Sequence, residues 1–154
     1  MQEVGFNLTS ALMVQQEDAG SMAGSMNEAE ALLARSEKFI NLASTCVKQE
    51  VYDLACFNAQ QGAQLLLKAL TLKKLGYIPR THSIRELIGT LAKQLNAQEL
   101  GEYVKTHRLE LMALEDAYIS SRYFVKEFTR DDAEECIRIV REVTELVQRT
   151  IRDP

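Results

Sequence analysis

Proline and glycine are scarce in this chain, with two prolines and seven glycines in 154 residues. Proline breaks helix interiors and glycine weakens them, so their scarcity leaves room for long uninterrupted helices. Cysteine is scarce as well. Cys46, Cys56 and Cys136 are scattered and odd in number. No CxxC pair or Cys/His cluster accompanies them, so no ligand set for structural zinc is present and no metal site is expected. They read as reduced, small apolar side chains, which implies a cytoplasmic setting. No run approaches the ~18 apolar residues that span a bilayer, so no membrane association is expected. No Lys or Arg precedes Arg35, so the basic start of a secretory signal is missing. Positive charge is in slight deficit, and the net charge of −4 argues against a protein that coats nucleic acid by bulk electrostatics. A local basic patch is still allowed. Gly-rich phosphate loops, GxSxG and HExxH are all missing, so the common enzyme motifs do not apply and no cofactor is expected.

What is present suffices for one folded domain. Hydrophobic residues make up 46% and charged residues 26%, near the globular average. Residues 1–26 stand apart, holding four of the five methionines, three glycines and no positive side chain. VGFNLTSALMV (4–14) is apolar enough for one short helix, and SMAGSM (21–26) is small and loop-like. This segment reads as a leader or linker, and residues 27–154 as the domain.

From Asn27 the apolar period is helical. Leu32, Phe39, Ala43 and Val47 form one stripe ending near Lys48. The next helix, from about Glu50 to Leu75, carries Ala55, Ala59, Ala63, Leu66 and Leu70, and further leucines make it apolar almost all round. That marks it as the central helix, and the Gly62-Ala63 step in its middle suggests close approach of a neighbour. Gly76 and Pro79 end it. Ser83 and Glu86 read as a capping box opening a short helix. A longer helix, from about Ala97 to Ser121, lines up Leu100, Val104, His107, Leu111, Leu114 and Tyr118. Thr129 caps the last helix, with Asp131 and Asp132 in its first turn. No strand-like alternation interrupts this. The predicted fold is all-α, an antiparallel up-and-down bundle of four long helices and one short one.

Few side chains carry chemistry. Arg122 lies beside Tyr118 and Tyr123, and a guanidinium fork among aromatic rings and hydroxyls suits phosphate and base recognition. It also fits a plain helix C-terminal cation. Lys68, Lys73, Lys74, Arg80 and Arg85 cluster around the turn after the central helix, either as a solvated surface or as a contact for nucleic acid or an acidic partner. His82 sits in that turn, where it ties the loop to the bundle or meets a ligand. His107 lies on an apolar seam, as a core or interface histidine or as an acid–base group.

Three stretches, in order, resemble the HEPN family of prokaryotic nucleotide- and RNA-associated proteins. ACFNAQQGAQLLLKALTLKKLGYIPRTHSIREL (55–87) is similar to the family's second helix and the turn after it. LEDAYISSRYF (114–124) resembles its Tyr-x-x-x-Arg-Tyr segment, and DDAEECIRIVREV (131–143) its closing helix. Together they cover roughly residues 27–152. The resemblance implies a homodimer, often partnered by a minimal nucleotidyltransferase in a toxin–antitoxin pair. Active members are metal-independent ribonucleases that use an Arg and, a few residues on, a His. Here Arg122 supplies the Arg, but Glu127 stands where the His is expected and no His follows Arg122. A carboxylate could replace histidine as acid–base group only if burial raised its pKa by roughly two units. The expectation is therefore a module that binds a nucleotidyltransferase partner, nucleotide or RNA through Arg122, Tyr118, Tyr123, Lys74, Arg80 and His82. The alternatives are a ribonuclease using Arg122 with Glu127 or His107, and a purely structural dimer.

Overall fold

The computed structural model describes residues 22–123 and 127–151. Six helices build it: α1 Met22–Lys48, α2 Tyr52–Leu75, α3 Ile84–Gln94, α4 Gln98–Thr106, α5 Arg108–Tyr123 and α6 Arg130–Thr150. No strand occurs among the described residues. Residues 1–21 lie outside them, so the short helix expected at 4–14 does too. α1 begins at Met22, inside the stretch read as loop-like, and its first turn carries no proline to prevent it.

α1 and α2 form the framework as an antiparallel hairpin. Glu50 takes a left-handed conformation (φ 62°) in the turn, and the Val51 N–H donates to Cys46 O at 2.9 Å. Pairs of opposite register follow along the hairpin: Asn58 Nδ2 donates to Cys46 Sγ at 3.6 Å, Ser36 Oγ to Gly62 O at 2.8 Å and Lys73 Nζ to Glu30 Oε1 at 3.3 Å. The close approach read from Gly62 is real. A Cβ built there would lie 2.6 Å from Ile40 Cγ1 and 3.2 Å from Ser36 O.

α2 is central, as its composition predicts, and touches α1, α3, α5 and α6. One core runs through it, where Ala55, Ala59, Ala63 and Leu67 meet Leu87, Leu91, Leu111, Leu114, Val140 and Val143. A smaller cluster of Leu32, Phe39, Leu65, Leu72 and Ile78 seals the far end of the α1–α2 hairpin.

The end signals behave locally. Gly76 adopts φ 85° and its N–H donates to Leu72 O at 3.0 Å, closing α2. Thr129 and Asp132 form a reciprocal capping box on α6. Ser83 makes only half of one. Its hydroxyl accepts from the Glu86 N–H, while its own N–H donates to Thr81 Oγ1 at 3.1 Å.

The helix expected over 97–121 is two helices. α4 stops at His107 (φ −109°, ψ 25°) and α5 starts one residue later. The break turns the two halves toward different neighbours: α4 packs on α3, whereas α5 packs chiefly on α2. Leu100 can then be buried from one direction and Leu111 and Leu114 from another. No described helix is long and apolar enough to cross a membrane.

Candidate functional site

The loop between α2 and α3 is held by a closed ring of side-chain bonds. The His82 Nδ1–H donates to Gln64 Oε1 at 3.0 Å, Gln64 Nε2 donates to Gln60 Oε1 at 2.8 Å, and Gln60 Nε2 donates to His82 O at 3.4 Å. Gln60 and Gln64 are buried at 0% and 4% exposure, so these bonds satisfy amides that would otherwise be costly. His82 therefore ties the turn to the bundle, and its imidazole still reaches the surface.

Glu115 of α5 anchors the start of α3. Its carboxylate accepts from Ser83 Oγ and the Arg85 N–H, each at 3.0 Å, and from Arg85 Nη2 at 2.9 Å. The hydrogen bond from Arg85 to Glu115 leads the effects that raise the arginine's pKa. Arg85 is thus a structural cation. Glu115→Gln should lower the melting temperature by several degrees and speed amide exchange at Arg85 and Leu87. Unchanged exchange there would show that α3 is held by its apolar face alone.

The basic cluster read around this turn is not a uniform solvated patch. Lys68 is buried at 3% exposure, Lys73 pairs with Glu30, and Arg85 is occupied by Glu115. Lys74 is half-buried in the last turn of α2, and Arg80 is exposed in the loop. Of the six residues expected to contact nucleotide or RNA, Arg80 and His82 thus share one exposed loop, with Lys74 beside it.

Arg122, Tyr118 and Tyr123 lie on the last turns of α5, and their side chains are outside the described residues. Glu127 follows α5 and is exposed, so the burial on which an acid–base role for it depends is absent. His107 sits at the opposite end of α5 from Arg122, roughly 22 Å away at the rise of an α-helix. One protomer cannot bring them together, which removes His107 as the substitute base for Arg122 within a chain.

His107 belongs to a different cluster. Its ring stacks on Tyr103 with centroids 4.0 Å apart, its Nδ1–H donates to Tyr103 O at 3.2 Å, and its Nε2 lies 3.6 Å from Glu142 Oε1. Tyr103 donates to the same carboxylate at 3.4 Å. Burial, then the Glu142 charge, raise the Tyr103 pKa well above the usual phenol range. Arg138 joins Glu142, Glu135 and Glu110 beside it, the last at 2.6 Å, and its hydrogen bond lowers the Glu135 pKa. This lattice laces α5 to α6 across the helix break, a role that accounts for every contact His107 makes.

Besides a concavity of about 330 Å³ at the His107 cluster, two more flank α6 among the described residues. One, of about 630 Å³, runs between α6 and the end of α1, past Lys48 and Arg141. The other, of about 310 Å³, lies between α5 and α6 over Cys56 and Cys136 and is mostly apolar. Beside the second, α5 exposes Leu109 (80%), Met112 and Ile119 (49%) on one face, while Leu111, Leu114 and Ala117 point into the core. The sequence reading missed this face because it counted His107 and Tyr118 on a single straight seam.

The order of these elements matches known proteins. The HEPN domain model matches residues 29–150. The chain belongs to the HEPN family. TT1696 from Thermus thermophilus is 26% identical with a TM-score of 0.68, covering 80% of this chain and 98% of its own. ST0689, an archaeal HEPN homologue, is 25% identical with a TM-score of 0.57 and the same coverage. No curated protein matches the chain. The family match spans α2, its His82 turn and the Arg122 end of α5, so the three stretches that resembled HEPN proteins fall within one HEPN domain.

Proposed function

We propose that this HEPN domain is a dimeric binding module. It engages nucleotide or RNA through Arg122 and does not cleave it, and it works with a minimal nucleotidyltransferase in a toxin–antitoxin pair. The observation that carries the reading is the missing base. No histidine follows Arg122 in the chain, Glu127 is exposed, and His107 is a helix length away. A positive fork remains for phosphate, without a group suited to take a proton from a ribose hydroxyl at neutral pH. The exposed apolar face of α5 supports self-association, since a stripe with one leucine 80% exposed is more than a lone surface residue.

The test is binding and cleavage on one sample. Arg122→Ala should weaken nucleotide or RNA binding by roughly 1–3 kcal/mol, the range for a charge-assisted contact, with little loss of helicity. The unmodified protein should leave RNA intact in EDTA. Efficient EDTA-resistant cleavage that disappears in Arg122→Ala would overturn the proposal in favour of a ribonuclease. Failure of the protein to co-purify with a nucleotidyltransferase expressed from a neighbouring gene would remove the partner from it.

A further inference from the structure

α2 carries four buried polar side chains on one face: Gln60, Gln64, Lys68 and Thr71, spaced by three or four residues. Three are satisfied. Gln60 and Gln64 close the ring with His82, and Thr71 Oγ1 donates to Leu67 O at 2.8 Å. Lys68 is different. It is 3% exposed, and no carboxylate, carbonyl or hydroxyl pairs with its ammonium among the described residues. No charge offsets its burial, which alone holds its pKa below the usual lysine range. An unpaired buried ammonium is among the least favourable groups a core can hold, and its neighbours Leu66 and Leu67 show that an apolar side chain is accommodated at the adjoining positions.

We propose that Lys68 is the receptor for a small oxyanion of the phosphoryl class, bound under the α2–α3 loop. The loop lies over this face of α2, because Gln60 and Gln64, two turns and one turn before Lys68, both bond His82. The polar row therefore leads from an exposed imidazole to the buried ammonium. Arg80 in the loop and Lys74 at the end of α2 set a positive approach. A compact ammonium with three donors on a flexible stem suits a phosphoryl oxygen as a point charge. The site is on a different helix from Arg122 and stands whether or not Arg122 binds nucleotide.

The experiment is thermal unfolding of the full chain with inorganic phosphate, against acetate and sodium chloride at equal ionic strength. Phosphate should raise the wild-type melting temperature by several degrees over both controls. Lys68→Met should melt higher than wild type without phosphate, since it removes the unpaired charge, and should show no phosphate-specific rise. Lys68→Arg, which keeps the charge, should melt lower without phosphate and keep the response. Lysine side-chain NMR should show the Lys68 pKa rising when phosphate is added. No phosphate-specific rise in wild type, or a full rise in Lys68→Met, overturns the proposal, and an equal rise with acetate overturns the phosphoryl assignment. An intact phosphate response alongside absent nucleotide binding in both wild type and Arg122→Ala would sink the Arg122 reading alone.

Discussion

Replacing Leu109 and Met112 together by aspartate should turn the proposed dimer into a monomer. Both side chains, with Ile119, lie on the outer face of α5, while the helix is held to its own bundle by Leu111, Leu114 and Ala117. Burying a leucine or methionine contributes about 1.5–3 kcal/mol, and a two-fold interface counts each substitution twice. Losing two such residues per copy, and bringing four carboxylates together instead, should move the dissociation constant by several powers of ten. Sedimentation equilibrium at micromolar concentration measures this directly. Circular dichroism should be unchanged, because neither side chain supports the protomer's core. A wild-type protein that sediments as a monomer, or a double variant that stays dimeric, would remove α5 as the interface.

The second large effect is expected at Gly62, where α1 and α2 touch most closely. A methyl group there would lie 2.6 Å from Ile40 Cγ1 and 3.2 Å from Ser36 O. Neither neighbour is the loose end of a long side chain, so α1 must move. Alanine gains up to about 1 kcal/mol over glycine in a helix interior, which partly offsets the clash. Overpacking costs about 1–3 kcal/mol, so Gly62→Ala should be destabilising by roughly 1–2 kcal/mol net. Gly62→Leu should cost at least about 3 kcal/mol and break the Ser36–Gly62 hydrogen bond. Urea denaturation reads both. Combining Gly62→Ala with Ile40→Ala should recover part of the loss, because the clash disappears while Ile40 is only partly buried. Full additivity of the two changes would mean that the clash is not what glycine avoids.

The sequence by itself determined the parts whose causes lie within a few residues. The stripe of Leu32, Phe39, Ala43 and Val47, the all-round apolar α2, the αL stop at Gly76 and the Thr129–Asp132 box are set by neighbours three or four positions apart. Gly62 announced a close contact because only a missing side chain permits one. The absent histidine after Arg122 was equally plain, being a matter of composition. Tertiary structure decided the rest. No glycine or proline marks the break at His107; it follows from α4 and α5 having different helices to pack on. Glu115 reaches Ser83 and Arg85 across about thirty residues of chain, and no local pattern encodes that meeting. Lys68 looked like one lysine in a basic cluster, since a sequence gives its charge but not its depth. Only the packing of the loop and helices around α2 shows that this lysine, unlike Lys73, has no carboxylate beside it.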